Sequence, residues 1–323
     1  MFSIVIPLYN KAHTIIYTLQ TVLNQTYTDF EVVIINDGSS DDGVALIQKF
    51  TNDDRVRIIN QHNQGVSAAR NRGIVEAKNE WIAFLDADDE WDKEYLKSTQ
   101  DAIARFSEAG MIINGRSSKN FQTKKVNNQV PESYVGYVGF IDFFHNPHVF
   151  AHISATVVKK NVILPNFTTW GSFIAGQKSN EDFVFLFRTA LHTKVVYNGF
   201  PLAFYNGAVD GQATGSLSKS TKLNDSIIFH NKVMEEWLNT HKKNKSFKIF
   251  MKYEIRHIWS IQLSSKDYES LNRFITNLHN GYDHFFSIAE KKAMQIQKLN
   301  ALMKGYIMIT KLRWIIRGYP RVS

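Results

Sequence analysis

The chain predicts an α/β fold: a mainly parallel sheet flanked by helices, followed by a helical C-terminal region. Three observations carry this. Short apolar, β-branched runs alternate with segments of helical periodicity through the first 92 residues. The segments between those runs are long enough for helical crossovers, which parallel neighbours require. From about residue 223 onward the pattern is helical.

Residues 3–8 form the first predicted strand, and residues 11–25 follow with Ile15, Ile16, Leu19, Val22 and Leu23 on one helical face. Residues 31–36 ("EVVIIN") read as a buried strand ended by the turn-rich "DGSSDDG". A second helix runs through Val44, Ile47 and Phe50, a third strand over 55–60, a third helix over 66–78 and a fourth strand over 81–85. Asp92 is expected to cap a helix over 93–106, with Trp91 stapled on Leu96. The middle is less regular. Residues 111–114 and 153–158 read as strands and 117–129 as a polar loop, while the aromatic-rich 134–150 suggests a platform or a covering flap. Asn180 is placed to cap an amphipathic helix through Phe183, Leu186, Phe187 and Leu191.

The composition is that of a globular protein, 44% hydrophobic and 21% charged. With no cysteine there is no disulfide framework, thiolate metal site or cysteine nucleophile, which fits a reducing cytosol. The opening apolar run is too short for a signal peptide, and no uncharged apolar run reaches the roughly 18 residues of a membrane-spanning helix. The net charge of +8 is unevenly placed. Residues 1–220 hold 20 basic against 22 acidic residues, and 221–323 hold 18 against 8. Two zones, 1–220 and 221–323, follow from this.

In open α/β sheets, ligands bind outside the carboxyl ends of the strands, where the strand order reverses. Three segments fall at such ends: Pro7-Leu8-Tyr9-Asn10, Asp37-Gly38-Ser39-Ser40 and Asp86-Ala87-Asp88-Asp89. Alone, each has a bland reading. An Asp-x-Asp triplet is usually a polar turn, Asp37 before Gly38 an Asx-type turn, and Arg70 in "GVSAARNRG" an exposed helix arginine. The clustered carboxylates nevertheless repel one another, and several kept ionised together call for a cation. Hard divalent ions such as Mg²⁺ or Mn²⁺ take oxygen ligands of this kind, together with substrate phosphates. A guanidinium at Arg70 would suit a phosphate or stack on a base.

Taken together, "SIVIPLYN", "VIINDGSSD", "GVSAARNRG" and "WIAFLDADDEW" resemble, in order and spacing, the motifs of the family 2 glycosyltransferases, inverting enzymes with a GT-A fold. The resemblance is dense over about the first 100 residues. It implies a nucleotide-sugar site formed by Pro7, Tyr9, Asn10, Asp37, Arg70, Asp86 and Ala87. Within that site Asp37 meets the uracil or its ribose, Arg70 lies near the nucleotide, and Asp86 faces the ribose or metal. Asp88 is implied as the main ligand, with Asp86, of a Mn²⁺ or Mg²⁺ on the diphosphate. At "NEDFVFLFR" it aligns Asp182 with the general base, and Glu181 would orient the acceptor or hold the loop. A helix start simply enriched in acids is the bland alternative. The helix dipole favours an ionised Asp182. Residues 1–220 are then the GT-A nucleotide-sugar-binding and catalytic domain.

One departure stands out. Where relatives carry a Tyr-Arg-x-His block, "FYNGAVDGQATGSLSKS" has Tyr205 but Asn206 for the arginine and no histidine, with Lys219 or Lys222 as stand-ins. The expected activity is metal-assisted, inverting transfer from a UDP-sugar to a glycan or lipid-linked glycan. A nucleotide-sugar-binding protein that has lost turnover is the nearest alternative. A dinucleotide oxidoreductase is disfavoured, because no Gly-x-Gly-x-x-Gly follows the first strand. The basic, apolar "LMKGYIMITKLRWIIRGYPR" suits either an anionic membrane surface or packing on the catalytic domain. No nucleic-acid motif accompanies it. The expected location is the cytoplasm, extending to the inner face of the membrane.

Overall fold

The structure is a computed structural model that describes residues 1–169, 171–207, 217–240, 244–265 and 267–287. The basic tail beyond residue 290, and Ser216 of the "GSLS" segment, lie outside the described residues. The described chain forms two compact units.

The first unit holds a mixed sheet. Its strands are β1 (Phe2–Leu8), β2 (Phe30–Asp37), β3 (Val56–Gln61), β4 (Trp81–Phe84), β5 (Glu90–Trp91), β6 (Ala109–Asn120), β7 (Val126–Asn128), β8 (Val138–Ile141), β9 (Thr156–Lys159) and β10 (Lys194–Gly207). Their order is β3-β2-β1-β4-β9-β6-β10-β5, with β7 on β6 and β8 on β10. The half of the sheet legible as strand–helix alternation is parallel: β3, β2, β1 and β4 all run one way. Past β4 it becomes mixed, because β9 runs antiparallel to both β4 and β6. The polar stretch 117–129 is not a loop. It continues β6 and turns into β7, since the long strand β10 offers pairing partners as far as Asn120.

Helices cover the sheet: α1 (Ile15–Leu23), α2 (Gly43–Phe50), α3 (Val66–Glu76), α4 (Tyr95–Arg105), the single turns α5 (Pro147–Phe150) and α6 (Lys160–Ile163), and α7 (Glu181–His192). In β1, Phe2, Ile4, Val5, Ile6 and Leu8 are all buried, as expected of a strand covered on both faces. α1 buries Ile15, Thr18, Leu19 and Val22, which recur at helical spacing. α3 lies against β1 at Gly73, where an added Cβ would fall 2.2 Å from Val5 Cγ1. Gly73→Ala is therefore expected to cost about 1–3 kcal/mol by overpacking. An unchanged urea midpoint would contradict that contact.

α4 starts two residues later than predicted, at Tyr95. Asp92 closes the preceding turn instead, accepting from Glu94 N–H at 2.9 Å. Trp91 lies in β5 and stacks on Tyr95 at 4.0 Å, not on Leu96, because its indole N–H is drawn to the Ser154 carbonyl at 2.6 Å. The aromatic run 134–150 is mostly core. Tyr134 packs edge-on against Phe150 and Tyr197, and Phe143, Phe144 and Phe150 are buried. That leaves Tyr137 and Phe140 as its exposed rings, too few for the expected platform.

The second unit gathers Asp142–His148, Lys178–Asn180 and three helices, α8 (Lys219–Asn239), α9 (Lys245–Ser264) and α10 (Tyr268–Thr276). Ser218 caps α8 by accepting from Thr221 N–H. Trp237 stacks on Phe247, and Phe144 meets the Phe247 ring edge-on. No helix among the described residues is long and apolar enough to cross a membrane.

Candidate active site

The parallel registers bring the carboxyl ends of β1, β2 and β4 to one edge: Leu8 pairs with Asn36, Asn36 with Asn60, and Val5 with Phe84. The strand order reverses between β2 and β4, at β1. The three predicted segments meet there, as the switch-point argument requires.

After β1, Tyr9 is 48% exposed and Asn10 adopts the left-handed conformation with φ 51°. Asn10 donates its N–H to Ser39 Oγ and accepts from Ser40 N–H at 2.8 Å, zipping this loop to the one after β2. Pro7 sits in β1 opposite Ile35. Asp37 is 2% exposed and accepts from Gln61 Nε2, Gln64 N–H and Gly65 N–H at 2.7–2.9 Å. Its carboxylate is thus bound to holding the loop that leads into α3.

The turn after β4 is anchored from both sides. The Thr18 hydroxyl of α1 reaches the carbonyls of Ala87 and Asp89 at 3.0 and 2.8 Å. From β10, Asn206 donates Nδ2 to the Asp88 carbonyl (2.7 Å) and to Glu90 (3.0 Å), and its N–H to Asp89 Oδ1. Ser154 Oγ accepts from Asp86 N–H. The four carboxylates then part company. Asp88 forms an ion pair with Lys11 at 2.7 Å. Glu90 pairs with Lys119 at 2.5 Å. Asp89 is buried, and burial, with Asp88 and Asp86 nearby, pushes its carboxyl well above the ordinary range.

Asp86 pairs with Arg70, and this contact organises the site. The Arg70 side chain is 3% exposed; it meets Asp86 at 2.7 Å and Glu181 at 3.1 Å. Burial opposes its charge, but the Asp86 and Glu181 carboxylates outweigh that, and the guanidinium is held more firmly protonated than usual. It lies 5.3 Å from the Phe173 ring centre, and Asn71 fixes Phe173 with two reciprocal backbone bonds of 2.8 Å. Arg70 is therefore a strut between the Asp86 turn and the start of α7, where the bland reading put an exposed helix arginine.

Asp182 follows Glu181 in the first turn of α7, just after Asn180 at φ 59°. Burial raises its pKa to about 7, the Glu181 charge adds to this, and Arg70 and the Phe183 N–H pull the other way. The helix dipole favours an ionised Asp182, and burial and the like charge of Glu181 act against it.

Residues 3–162 match the family described as glycosyl transferase family 2. The chain carries a family 2 glycosyltransferase domain. Over 89 residues it is 44% identical to the Escherichia coli (strain K12) protein "Uncharacterized glycosyltransferase YibD", covering 27% of this chain and 26% of the relative. Over 157 residues it is 32% identical to the Erwinia amylovora "Amylovoran biosynthesis glycosyltransferase AmsB", covering 43% and 52%. Over 149 residues it is 30% identical to the Bacillus subtilis (strain 168) "Putative glycosyltransferase EpsH", covering 42% and 43%. These matches span at most about half of each relative's length. Among solved structures, S. aureus TarS 1–349 in complex with UDP-GlcNAc superposes with a TM-score of 0.72, covering 99% of this chain and 93% of that one. At 17% identity, that likeness shows the GT-A fold alone.

The family 2 domain also contains residues that no sequence motif marked. Arg116 on β6 is driven below its ordinary pKa by burial, against the pull of Tyr197, Asp89, Tyr205 and Asp182. Its Nε has no hydrogen bond among the described residues. His152 meets Tyr205 edge-on at 5.5 Å, and burial, with Arg116 beside it, drives its pKa to about 3 and keeps the ring neutral. Both come from the antiparallel side of the sheet, where neighbours in space lie dozens of residues apart in sequence.

Proposed function

We propose that this chain transfers a sugar from a UDP-sugar to a hydroxyl of a bacterial glycan or lipid-linked glycan, with inversion and with the help of Mn²⁺ or Mg²⁺. One observation carries the reading: Arg70 ties Asp86 to Glu181, so the Asp-x-Asp turn and the carboxylate Asp182 share one site. The crystal structure of TarS in complex with UDP-GlcNAc supports a UDP-sugar donor. The role of AmsB in amylovoran biosynthesis supports a polysaccharide acceptor.

Among the described residues no three His, Cys, Asp or Glu side chains converge on a cation position. Asp88, with Asp86 from the same turn, would hold such an ion, and diphosphate oxygens would complete its coordination, as is usual for Mg²⁺. When bound, such an ion neutralises charge that builds on the departing diphosphate. Asp86 enters paired with Arg70. The loop held by Asp37, with Tyr9 and Asn10, lines the edge where the nucleoside would lie. Asp182 takes the proton of the acceptor hydroxyl as that oxygen attacks the anomeric carbon opposite the leaving group. A carboxylate with a pKa of about 7 is matched to that task, being both available and basic at neutral pH.

The test is UDP release from a panel of UDP-sugars in Mn²⁺. Wild-type protein is expected to release UDP from at least one of them, and Asp88→Ala to lose release in Mn²⁺ to the level seen in EDTA. Saturable binding of every donor without release would favour a nucleotide-sugar-binding protein instead.

A further inference from the structure

We propose that Lys11 is an exchangeable cation of the donor site, pairing with Asp88 in the free protein and moving to the nucleoside diphosphate when a divalent ion takes that carboxylate. The inference rests on the donor reading above and adds to it a residue that no motif marked.

The geometry begins with the backbone. Lys11 follows Asn10, whose left-handed conformation turns the chain sharply after β1. The loop is pinned on both sides of Lys11, by Asn10 N–H to Ser39 Oγ and by Ala12 N–H to Asp41 Oδ2 at 2.7 Å. The Lys11 carbonyl accepts from Ile15 N–H at 2.9 Å, joining it to the first turn of α1. A fixed backbone thus aims a long, flexible side chain, whose Nζ reaches Asp88 Oδ2 at 2.7 Å. The two side chains are only 16% and 17% exposed, so the pair is sheltered but not sealed from solvent.

The charges around it are already allotted. Asp86 is paired with Arg70, Glu90 with Lys119, and Asp89 accepts from the Asn206 N–H. Asp88 is left as the carboxylate whose cation comes from the loop after β1, at the edge where the donor would lie. A divalent ion needs an oxygen of that carboxylate at about 2.0–2.1 Å. An ammonium 2.7 Å from the same carboxylate would be repelled by it. Lysine suits such an exchange: it is a point charge with three donors on four rotatable methylenes, and it binds phosphate without a fixed fork. A diphosphate arriving with the ion supplies the nearest new anion, so the ammonium has a partner in both states.

The test is calorimetric titration of wild type, Lys11→Met and Lys11→Arg with Mn²⁺ alone and with UDP in saturating Mn²⁺, with melting temperatures recorded to confirm folding. Lys11→Met is expected to bind Mn²⁺ alone about 10-fold more tightly, because Asp88 is released from its pair. It should bind UDP about 10-fold more weakly, because the phosphate contact is lost. Lys11→Arg should recover most of the UDP affinity. Opposite signs in the two titrations are beyond what a purely structural ion pair can give. Two results overturn the role of Lys11 alone: both affinities falling together, or UDP affinity unchanged in Lys11→Met. Wild-type protein that binds no UDP at any Mn²⁺ concentration overturns the donor reading with it.

Discussion

Replacing Asp182 with asparagine is expected to lower kcat for UDP release about 100-fold or more, with UDP affinity in Mn²⁺ held within about twofold. Asparagine keeps the shape at the start of α7 but cannot take a proton. The substitution also carries a stability signature with a defined sign. The carboxyl of Asp182 titrates near 7 in the folded protein, against an ordinary 3.8. Between those values the folded state holds a proton that the unfolded state has released, so stability falls as pH rises from about 4 to 7. Asparagine does not titrate and escapes that loss. Asp182→Asn should therefore melt higher than wild type at pH 8, and the advantage should shrink towards pH 5. An inactive variant that is also less stable at pH 8 would mean that the residue is structural.

Arg70→Met is expected to cost about 3–5 kcal/mol of stability. The strut is 3% exposed, and removing it leaves Asp86 and Glu181 facing each other without a cation. Adding Asp86→Asn and Glu181→Gln should restore part of the loss, because the deficit is uncompensated charge more than lost packing. Urea unfolding of the single and triple variants measures this. If the triple variant is no more stable than Arg70→Met, the penalty comes from the Phe173 contact instead.

What the sequence made legible follows chain continuity. The parallel half of the sheet was readable because each of its strands is a compact apolar run separated by a helical crossover, and such units declare their direction locally. The same logic places Asn10, Asp37 and Asp86–Asp89 at one edge of the sheet. Periodicity could not show that β9 runs backwards between β4 and β6, since an antiparallel insertion looks like any other short apolar run. Nor could it show that residues 117–120 are strand, because their polar side chains become a strand only once β10 pairs with them.

In the site, residue types were easier to read than partners. The motif puts Arg70 near the nucleotide, yet its two carboxylates come from sixteen and 111 positions away, which no local pattern encodes. Asn206 departs from the family pattern. Its use, holding the Asp88–Glu90 turn from β10, became visible only with the strand order. Lys11 adjoins Asn10 but carries no local mark, because a lysine after a turn is ordinarily solvated. Asp182 is legible as a first-turn helix residue, but its proton affinity depends on burial and on Glu181, which a dipole argument leaves out.

The most direct test of Asp182 as the proton acceptor is the pH dependence of kcat/KM for UDP release between pH 5.5 and 9 at saturating Mn²⁺. The expected profile rises about tenfold per pH unit on the acid side and levels off above about 7, as a single carboxyl loses its proton. A profile flat down to pH 5.5, in protein shown to remain folded and metal-loaded there, would contradict a base with a raised pKa at Asp182.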